Sequence, residues 1–398
     1  MTISLLRFPF LVQKVIFEEI DLLALISITM LSKKSKATAS ACLRHHKYHL
    51  RYYEDYSIRL ERKFEKEDGQ LLVLVLIDPT PPLCPHQMWR IGNQEVLIKS
   101  KINESNGTVS TLTHVHSDNV SDFATETLQY LSRLLPKISV TLKLKARTVD
   151  TFRKTMKSVK GAGEIKDIKI VEQFWDRDPV SQNELVKLVL DKSQRAKNLS
   201  VYFLTAENFE YPLSVPFKFD YVSMISTRWI SRDHFIKLFL SCKKVDLKWK
   251  NFNDEDLAAI FKAWTEGSPL EVLQFLGTQH FYIGKTLDRI LEGIPGATPV
   301  KNAIVSPGMF TGPRIITFGE GKCYLIQQNN GQTTALVYNV YQSIMLSTKF
   351  QIGKEVDEMV ARIEAEERLR REERLAQIEE EERLRRHPID ENLEVEED

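Results

Sequence analysis

A few residues in this chain have the types and spacing that metal binding requires. Cys42, His45, His46 and His49 lie close together in the sequence, and thiolate and imidazole are ligands that zinc prefers. On a helix, His45 and His49 would share a face, but no second cluster completes a tetrahedral site. The alternating histidines of residues 114–116 would share a strand face, again without a third ligand nearby. We therefore expect no bound metal.

One tripeptide matches the last three residues of the phosphate-binding loop motif. The motif needs a glycine five residues before the Gly-Lys pair of Gly284-Lys285-Thr286, and that position holds Gln279. The sequence also lacks the Gly-x-Ser-x-Gly elbow of hydrolases and the His-Glu-x-x-His motif of metalloproteases. The sequence therefore predicts a protein that is not an enzyme and that needs no cofactor.

The composition is that of a folded chain with no strong charge bias. With 398 residues, 42% of them hydrophobic, the chain is long enough for a sizeable core and two or three modules. The net charge of +1 gives no global reason to expect nucleic-acid or membrane binding. Four scattered cysteines without a CxxC pair indicate a reducing compartment. Because no secretory or membrane-spanning segment is visible, we expect a cytoplasmic or nuclear protein.

Residues 1–50 contain three short helix signals in succession. Pro9 suits the first turn of a helix, and aliphatic residues then recur four positions apart. Asp21 is a suitable N-cap for a second helix, and Ser32 for a third, basic one. Three small helices with so much apolar surface need a partner to cover part of it.

This segment resembles an F-box over residues 8–45. The family pattern runs from a Leu-Pro-like opening, through a helix of spaced aliphatics and an Asp-Leu-Leu-type centre, to a basic last helix. The matching residues here are Phe8-Pro9, residues 11–20, Asp21-Leu22-Leu23 and Ser32-Lys33-Lys34-Ser35-Lys36. Phe8 replaces the usual leucine, and the tryptophan common in the last helix is absent. The basic ending is similar to the large F-box group of nematodes.

The F-box resemblance implies a partner, a Skp-type adaptor protein, and through it a cullin. It also implies which residues contact that adaptor, and these are Phe8, Pro9, Leu11, Val12, Val15, Ile16, Asp21, Leu22, Leu23, Leu25 and Ile28. The alternative is that the segment is the N-terminal cap of the following domain.

Residues 51–350 predict an α/β domain. The charged segment 51–68 is expected to be a helical connector, residues 71–77 a buried strand, and Asn106-Gly107 a hairpin turn. Helix-like and strand-like segments then alternate at roughly 25 to 35 residues per unit, the spacing of leucine-rich-like α/β solenoids. An ordinary open sheet is the alternative, and both give a largely parallel sheet. The predicted helices are 120–135, 149–159 and 181–192, and the predicted strands are 138–144, 165–171, 199–204, 245–249 and 270–276. The longer gap between the third and fourth strands leaves room for an extra strand around residues 219–225.

Residues 219–275 are similar to the type-2 F-box-associated domain that follows the F-box in the nematode group. The similarity rests on Trp264, which is followed by a Gly-Ser-Pro turn and a leucine-rich strand. We expect the aromatic residues that recur here at helical spacings to be core residues, namely Trp229, Phe235, Phe239, Phe261 and Trp264.

The target-binding surface is expected within residues 199–282. In a solenoid the loops at the strand ends are free to vary, and partners usually dock there. The loop of residues 208–216 is the predicted contact segment, through Tyr211, Pro212 and Pro216.

Residues 310–350 predict further strands, and the chain then becomes highly charged. Residues 351–387 predict a helix with Glu–Arg pairs four positions apart, and residues 388–398 form an acidic tail. A short apolar seam from Ile352 to Ile363 fades further along, so we expect a solvated helix rather than a long coiled coil.

Two functions of different classes fit these patterns. The first is a substrate-recognition adaptor of a Skp–cullin–F-box ubiquitin ligase, in which the helical module joins the ligase and the α/β domain holds a protein target. The second is a nucleic-acid-binding protein that uses residues 33–53, where basic side chains alternate with Tyr48, Tyr52 and Tyr53. We expect the first, with no membrane partner.

Overall fold

The N-terminal part folds into three short helices, as the sequence predicts. Helix α1 is Phe10–Glu19, α2 is Leu22–Leu31 and α3 is Lys33–Cys42. The Asp21 carboxylate accepts a hydrogen bond from the Ala24 N–H at 2.9 Å, and the Ser32 hydroxyl accepts one from the Ser35 N–H at 3.0 Å. Both predicted N-caps are therefore formed.

A sixteen-stranded sheet is the main element of the rest of the described chain. The computed structural model describes residues 5–45, 47–53, 55–63, 70–77, 87–91, 94–105, 108–135, 137–145, 148–171, 182–213, 215–225, 227–278, 281–283, 285–305, 314–340 and 342–386. Its strands are β1 (Lys47–Tyr52), β2 (Ile58–Lys63), β3 (Gln70–Ile77), β4 (Gln87–Ile91), β5 (Gln94–Ser105), β6 (Thr108–His116), β7 (Ser139–Leu144), β8 (Glu164–Val171), β9 (Ala196–Tyr202), β10 (Tyr221–Met224), β11 (Lys244–Lys248), β12 (Val272–Leu276), β13 (Thr298–Pro299), β14 (Asn302–Val305), β15 (Arg314–Thr317), β16 (Cys323–Gln327), β17 (Thr334–Val340), β18 (Ser343–Ser347) and β19 (Phe350–Gln351). The further helices are α4 (Val120–Leu134), α5 (Val149–Ser158), α6 (Asn183–Lys192), α7 (Arg232–His234, continued by a π-helical turn at Phe235–Phe239), α8 (Asp254–Thr265), α9 (Asp288–Leu291) and α10 (Lys354–Arg386).

The centre of the sheet is parallel, which confirms the predicted fold class. Strands β1, β7, β8, β9, β10, β11 and β12 lie side by side in that order, and every neighbouring pair among them is parallel. From β7 to β12 the spatial order equals the chain order, so each connection moves one position across the sheet in the same direction. The covering helices pack on their neighbours, α4 on α5, α5 on α6 and α8 on α9. This sequential order fits both predicted arrangements, the leucine-rich-like solenoid and the open, largely parallel sheet.

Antiparallel strands flank both sides of the parallel centre. On one side β2 and β3 lead to the hairpin of β5 and β6, in which Ser105 pairs with Thr108. The predicted turn, Asn106-Gly107, lies outside the described residues. On the other side β18, β17 and β16 form a meander next to β12.

The predicted helical connector at residues 51–68 is wrong. Strands β1 and β2 occupy the described part of it and pair antiparallel, with Leu50 opposite Leu60. Burial alternates along β2 as in a strand with one covered face, since Ile58, Leu60 and Arg62 are buried while Arg59 is exposed. The high charge of the segment obscures this alternation in the sequence.

Arg62 fixes the helical module to the sheet. Its side chain is 0% exposed, and its guanidinium donates hydrogen bonds to the Ile20 carbonyl at 2.9 Å and to the Phe17 carbonyl at 3.5 Å. Both carbonyls belong to the end of α1, where backbone acceptors have no partner within the helix and where a positive charge is favourable. A side chain of β2 therefore caps the C-terminus of α1.

Further polar contacts attach α2 and α3 to the same region. The Trp89 indole of β4 donates a hydrogen bond to the Ser27 hydroxyl at 3.2 Å, and the Tyr130 hydroxyl of α4 donates one to Thr29 at 2.8 Å. The Lys36 ammonium lies 4.0 Å from the centre of the Tyr130 ring. The apolar side chains of α1–α3 join the core of the sheet.

A second, smaller core lies on the opposite face of the sheet. Strands β14, β15 and β19 form a three-stranded sheet whose apolar residues pack over β16, β17 and β18. The members of this core include Val305, Phe318, Cys323, Tyr338 and Met345. The face that the helices leave uncovered is therefore closed at its β16–β18 end.

The charged helix α10 is partly packed and mostly solvated. Val356 and Val360 in its first turns are buried, and the Asn302 amide of β14 donates a hydrogen bond to Asp357 at 2.7 Å. Beyond Ile363 the described side chains are exposed. The prediction of a solvated helix is confirmed for that portion, whereas the first turns contact β14 because their apolar residues lie on one side.

Replacing Arg62 by Met tests the anchor of α1. We expect the free energy of unfolding to fall by about 2 kcal/mol, because carbonyl groups at the end of α1 lose a charged donor in a buried place. Denaturant unfolding followed by circular dichroism measures this change. The matched control is Arg59→Met on the exposed face of the same strand, for which less than about 1 kcal/mol is expected. Equal losses in the two variants would contradict the anchoring role.

Truncations of α10 test which part of it is packed. Deleting residues 364–398 should leave the melting temperature nearly unchanged, since exposed ion pairs contribute little to a distant core. Val360→Asp should lower the free energy of unfolding by about 2 kcal/mol, because it places an unpaired carboxylate in an apolar contact. Ile378→Asp, on the exposed part of the same helix, is the control. A large effect of the truncation would show that the distal helix also packs on the domain.

Candidate interaction surfaces

Helix α1 presents apolar side chains to solvent. Phe10, Leu11, Val12 and Val15 are between 41% and 73% exposed, and we refer to them as the α1 apolar face. The opposite side of the helix is fixed, because Phe17 and Gln13 are buried and the Gln13 amide donates a hydrogen bond to the Phe8 carbonyl at 2.6 Å. An apolar patch on a rigid helix is typical of a protein-binding surface.

The residues predicted to contact an adaptor fall into three groups. Pro9, Leu11, Val12, Val15 and Asp21 are exposed, and Phe8, Ile16, Leu23 and Ile28 are partly buried. The other two, Leu22 and Leu25, are instead buried in the core, where a partner cannot reach them. The physical reason is that α2 is apolar on all sides and lies against β3 and β4.

Two exposed residues of this region were not among the predicted contacts. They are Phe10, in the first turn of α1, and Leu31, which is 78% exposed at the end of α2. The sequence contains a signal for the exposure of Leu31. The residue directly before an N-cap often packs on an apolar residue in the first turn of the helix. Ser32 is the N-cap here, and the position on which Leu31 would pack holds Lys36.

The loop predicted to contact a target is partly anchored. Tyr211 is buried, its hydroxyl donates a hydrogen bond to Asp191 at 2.8 Å, and its carbonyl oxygen lies 2.9 Å from the His234 ring nitrogen Nε2. Its ring packs on those of Phe217 and Trp229. Tyr211 therefore holds the loop in place and is not available to a partner.

The neighbouring positions of the same loop are exposed. Both predicted prolines, Pro212 and Pro216, are on the surface, together with Leu213 and Val215.

The predicted aromatic core is confirmed, since Phe235, Phe239, Phe261 and Trp264 are buried, as is Trp229.

The carboxyl ends of the parallel strands form a second exposed region. Leu204 follows β9, Trp249 follows β11, and Phe281 and Ile283 follow β12, and all four side chains are exposed. Loops at this edge of a parallel sheet are frequent ligand-binding sites. Trp249 has a φ of 58°, a left-handed conformation that is uncommon for a residue other than glycine.

Hydrogen bonds make this edge of the sheet rigid. The Asn251 amide donates to the Thr278 hydroxyl at 2.7 Å and accepts from the Thr278 N–H at 2.9 Å, which joins the loops after β11 and β12. The Tyr282 hydroxyl donates to the Lys250 carbonyl at 2.8 Å, and the Thr227 hydroxyl donates to the Lys248 carbonyl at 2.9 Å. The exposed side chains here are therefore held by a fixed backbone.

Lys250 lies at this edge with its ammonium group in a low-dielectric place. Burial lowers the pKa of Lys250 to about 8, and the Asp256 carboxylate acts in the opposite direction. The ammonium lies 4.5 Å from the centre of the Phe252 ring, which favours its charged form. The side chain can therefore exist in both protonation states near neutral pH.

The basic and aromatic residues of the stretch 33–53 do not form one surface. Lys33, Lys34 and Arg44 are exposed, but Tyr48 and Tyr52 are buried against the helices. These two tyrosines are therefore unavailable for base stacking, and for them the nucleic-acid prediction is wrong. Tyr53, the third predicted tyrosine, is partly exposed, because alternate residues of a strand point to opposite faces of the sheet.

Comparisons with known protein families, curated proteins and solved structures found no match to this chain. None of the helices in the described residues combines the length with the apolar composition that a membrane span requires.

The pH dependence of stability tests the environment of Lys250. The pKa is about 8 in the folded state and 10.5 for an ordinary lysine, so between these values the unfolded chain binds more protons and the free energy of unfolding rises with pH. Lys250→Met should therefore be more stable than the wild type at pH 7, and this advantage should shrink as the pH rises towards 10.5. Denaturant unfolding at several pH values measures it. Lys262→Met, at an exposed position, controls for the loss of one charge.

Proposed function

We propose that this protein is a substrate-recognition adaptor of a Skp–cullin–F-box ubiquitin ligase. In this function the α1 apolar face binds a Skp-type adaptor protein, and the α/β domain binds the target. The chain performs no chemistry itself. It raises the effective concentration of the target near the ubiquitin-conjugating enzyme.

The observation that supports this proposal best is the exposure of Leu11 and Val15. Both lie on one side of α1, four residues apart, and each is more than half exposed. A helix whose other side is fixed by Phe17 and by the Arg62 hydrogen bonds has no need of these apolar groups for its own packing. A second protein that covers them gains apolar burial without unfolding the module.

The arrangement of the α/β domain is compatible with the second half of the function. A rigid sheet joined directly to the helical module keeps a bound target at a fixed distance from the adaptor. The contacts that join them are those of Arg62, Trp89 and Tyr130 described above. A fixed geometry limits which lysines of the target reach the conjugating enzyme.

The double variant Leu11→Asp/Val15→Asp tests the α1 apolar face. It should weaken binding of a Skp-type adaptor by about 2 kcal/mol or more, because two anchors of a buried contact are replaced by charges. The measurement is isothermal titration calorimetry with the full chain. The melting temperature should change little, since both side chains are on the surface.

The control for this experiment is Leu369→Asp, which places the same charge on an exposed apolar position of α10. Adaptor binding should be unchanged in that variant. The proposed function is wrong if the wild-type chain does not bind the adaptor, or if the α1 variant binds as tightly as the wild type.

A further inference from the structure

One face of the parallel sheet carries a row of basic and aromatic side chains. Among the described residues, helices cover the opposite face, and the small sheet of β14, β15 and β19 covers this one at β16–β18. We call the row that remains the basic–aromatic row. Its members are Arg59, Tyr53, Lys143, Lys169, Tyr202 and Lys248, all of which are exposed or partly exposed.

Strand register places these residues next to one another. Arg59 lies on β2, Tyr53 follows β1, Lys143 lies on β7 and Lys169 on β8, where Lys143 and Lys169 are Cα partners. Tyr202 is the last residue of β9, and Lys248 is the last residue of β11. The row therefore crosses the parallel strands near their carboxyl ends, and Arg59 lies near the amino end of the antiparallel strand β2.

Each tyrosine of the row lies between two cations. Arg59 and Lys143 are 4.8 Å and 5.8 Å from the centre of the Tyr53 ring. On either side of Tyr202, Lys169 and Lys248 are 5.1 Å and 5.6 Å from the ring centre. These cation–π contacts hold the flexible lysines in position.

Among the described residues, the two lysines at the centre of the row have no ion-pair partner. Lys143 and Lys169 lie directly opposite each other, and like charges in that position destabilise a sheet. Among the ion pairs of the described residues none involves either lysine. A bound anion would remove this repulsion.

Carboxylates on the same face have partners of their own. The Asp167 carboxylate accepts hydrogen bonds from Thr141 at 2.8 Å and from Asn198 at 2.6 Å. Glu61 pairs with Arg51 at 3.1 Å. Asp246 is buried and accepts a hydrogen bond from Ser223 at 3.1 Å; burial raises its pKa, and the Lys248 ammonium at the end of the row acts in the opposite direction.

We propose that the basic–aromatic row binds an extended acidic peptide that lies across the strands. Neighbouring strands are about 4.8 Å apart, so the six steps from β2 to β11 span about 29 Å, the length of roughly nine extended residues. Carboxylates of such a peptide complement the lysines and the arginine. Because the cations already occupy the surroundings of both rings, the tyrosines are poor platforms for the bases of a nucleic acid. The inference rests on the proposed adaptor function only in assigning the peptide to a target protein.

The double variant Lys143→Gln/Lys169→Gln tests the row in the full chain. A fluorescein-labelled deca-glutamate peptide serves as the probe, and fluorescence anisotropy at low ionic strength measures its binding. We expect affinity to fall about tenfold, because two partly exposed ion pairs are lost. The melting temperature should not fall, since the variant also removes the repulsion between the two lysines. Lys160→Gln/Lys187→Gln, at exposed positions on the helix side, is the matched control and should bind like the wild type.

Three results would overturn the inference. They are no binding of the peptide to the wild type, an equal loss in the control variant, and tighter binding of a ten-nucleotide oligothymidine that depends on the same two lysines. Adaptor binding is measured on the same variants to separate this inference from the proposed function. Peptide binding without adaptor binding would support the acidic-peptide surface and contradict the ligase function.

Discussion

The hydrogen bonds of Arg62 to the end of α1 are the interaction on which the N-terminal half of the structure depends. The arginine lies on β2, and the carbonyls that it binds belong to Phe17 and Ile20. A helix of this length is marginal by itself, and its last carbonyls need partners. Because a strand of the large sheet supplies them, the helices and the sheet form one unit, and the exposed side of α1 has a fixed orientation.

The order of the parallel strands determines what the other half can present. Each unit from β7 to β12 packs on the next, so the helices all lie on one face and the other face remains a continuous surface. The small sheet closes that surface at one end. What remains is a strip on which side chains from distant parts of the chain become neighbours, as Lys143 and Lys169 do.

Local patterns in the sequence were sufficient for much of this fold. The helix over residues 120–135 and the strands from 138 to 276 followed from periodicity, and the caps Asp21 and Ser32 from residue type. The prediction failed at β1 and β2, where the alternation of a strand is present but the high charge of the segment favoured a helical connector, and where the buried position 62 holds an arginine. It also failed to separate the core side of α2 from its outer side, since an apolar helix without a polar face has no preferred direction. The basic–aromatic row depends on strand register, which no local pattern specifies.

Helix α10 packs on the domain at its first turns and extends from them into solvent, so it acts as a spacer. Its first turns are fixed against β14 by Val356 and Val360, and the side chains of residues 364–383 are exposed. At 1.5 Å per residue, the helix from residue 364 to its end at Arg386 is about 34 Å long. A group carried at its tip can therefore lie as far from β14 as the width of a small domain. The acidic residues that follow in the sequence are joined to the sheet through this length of helix.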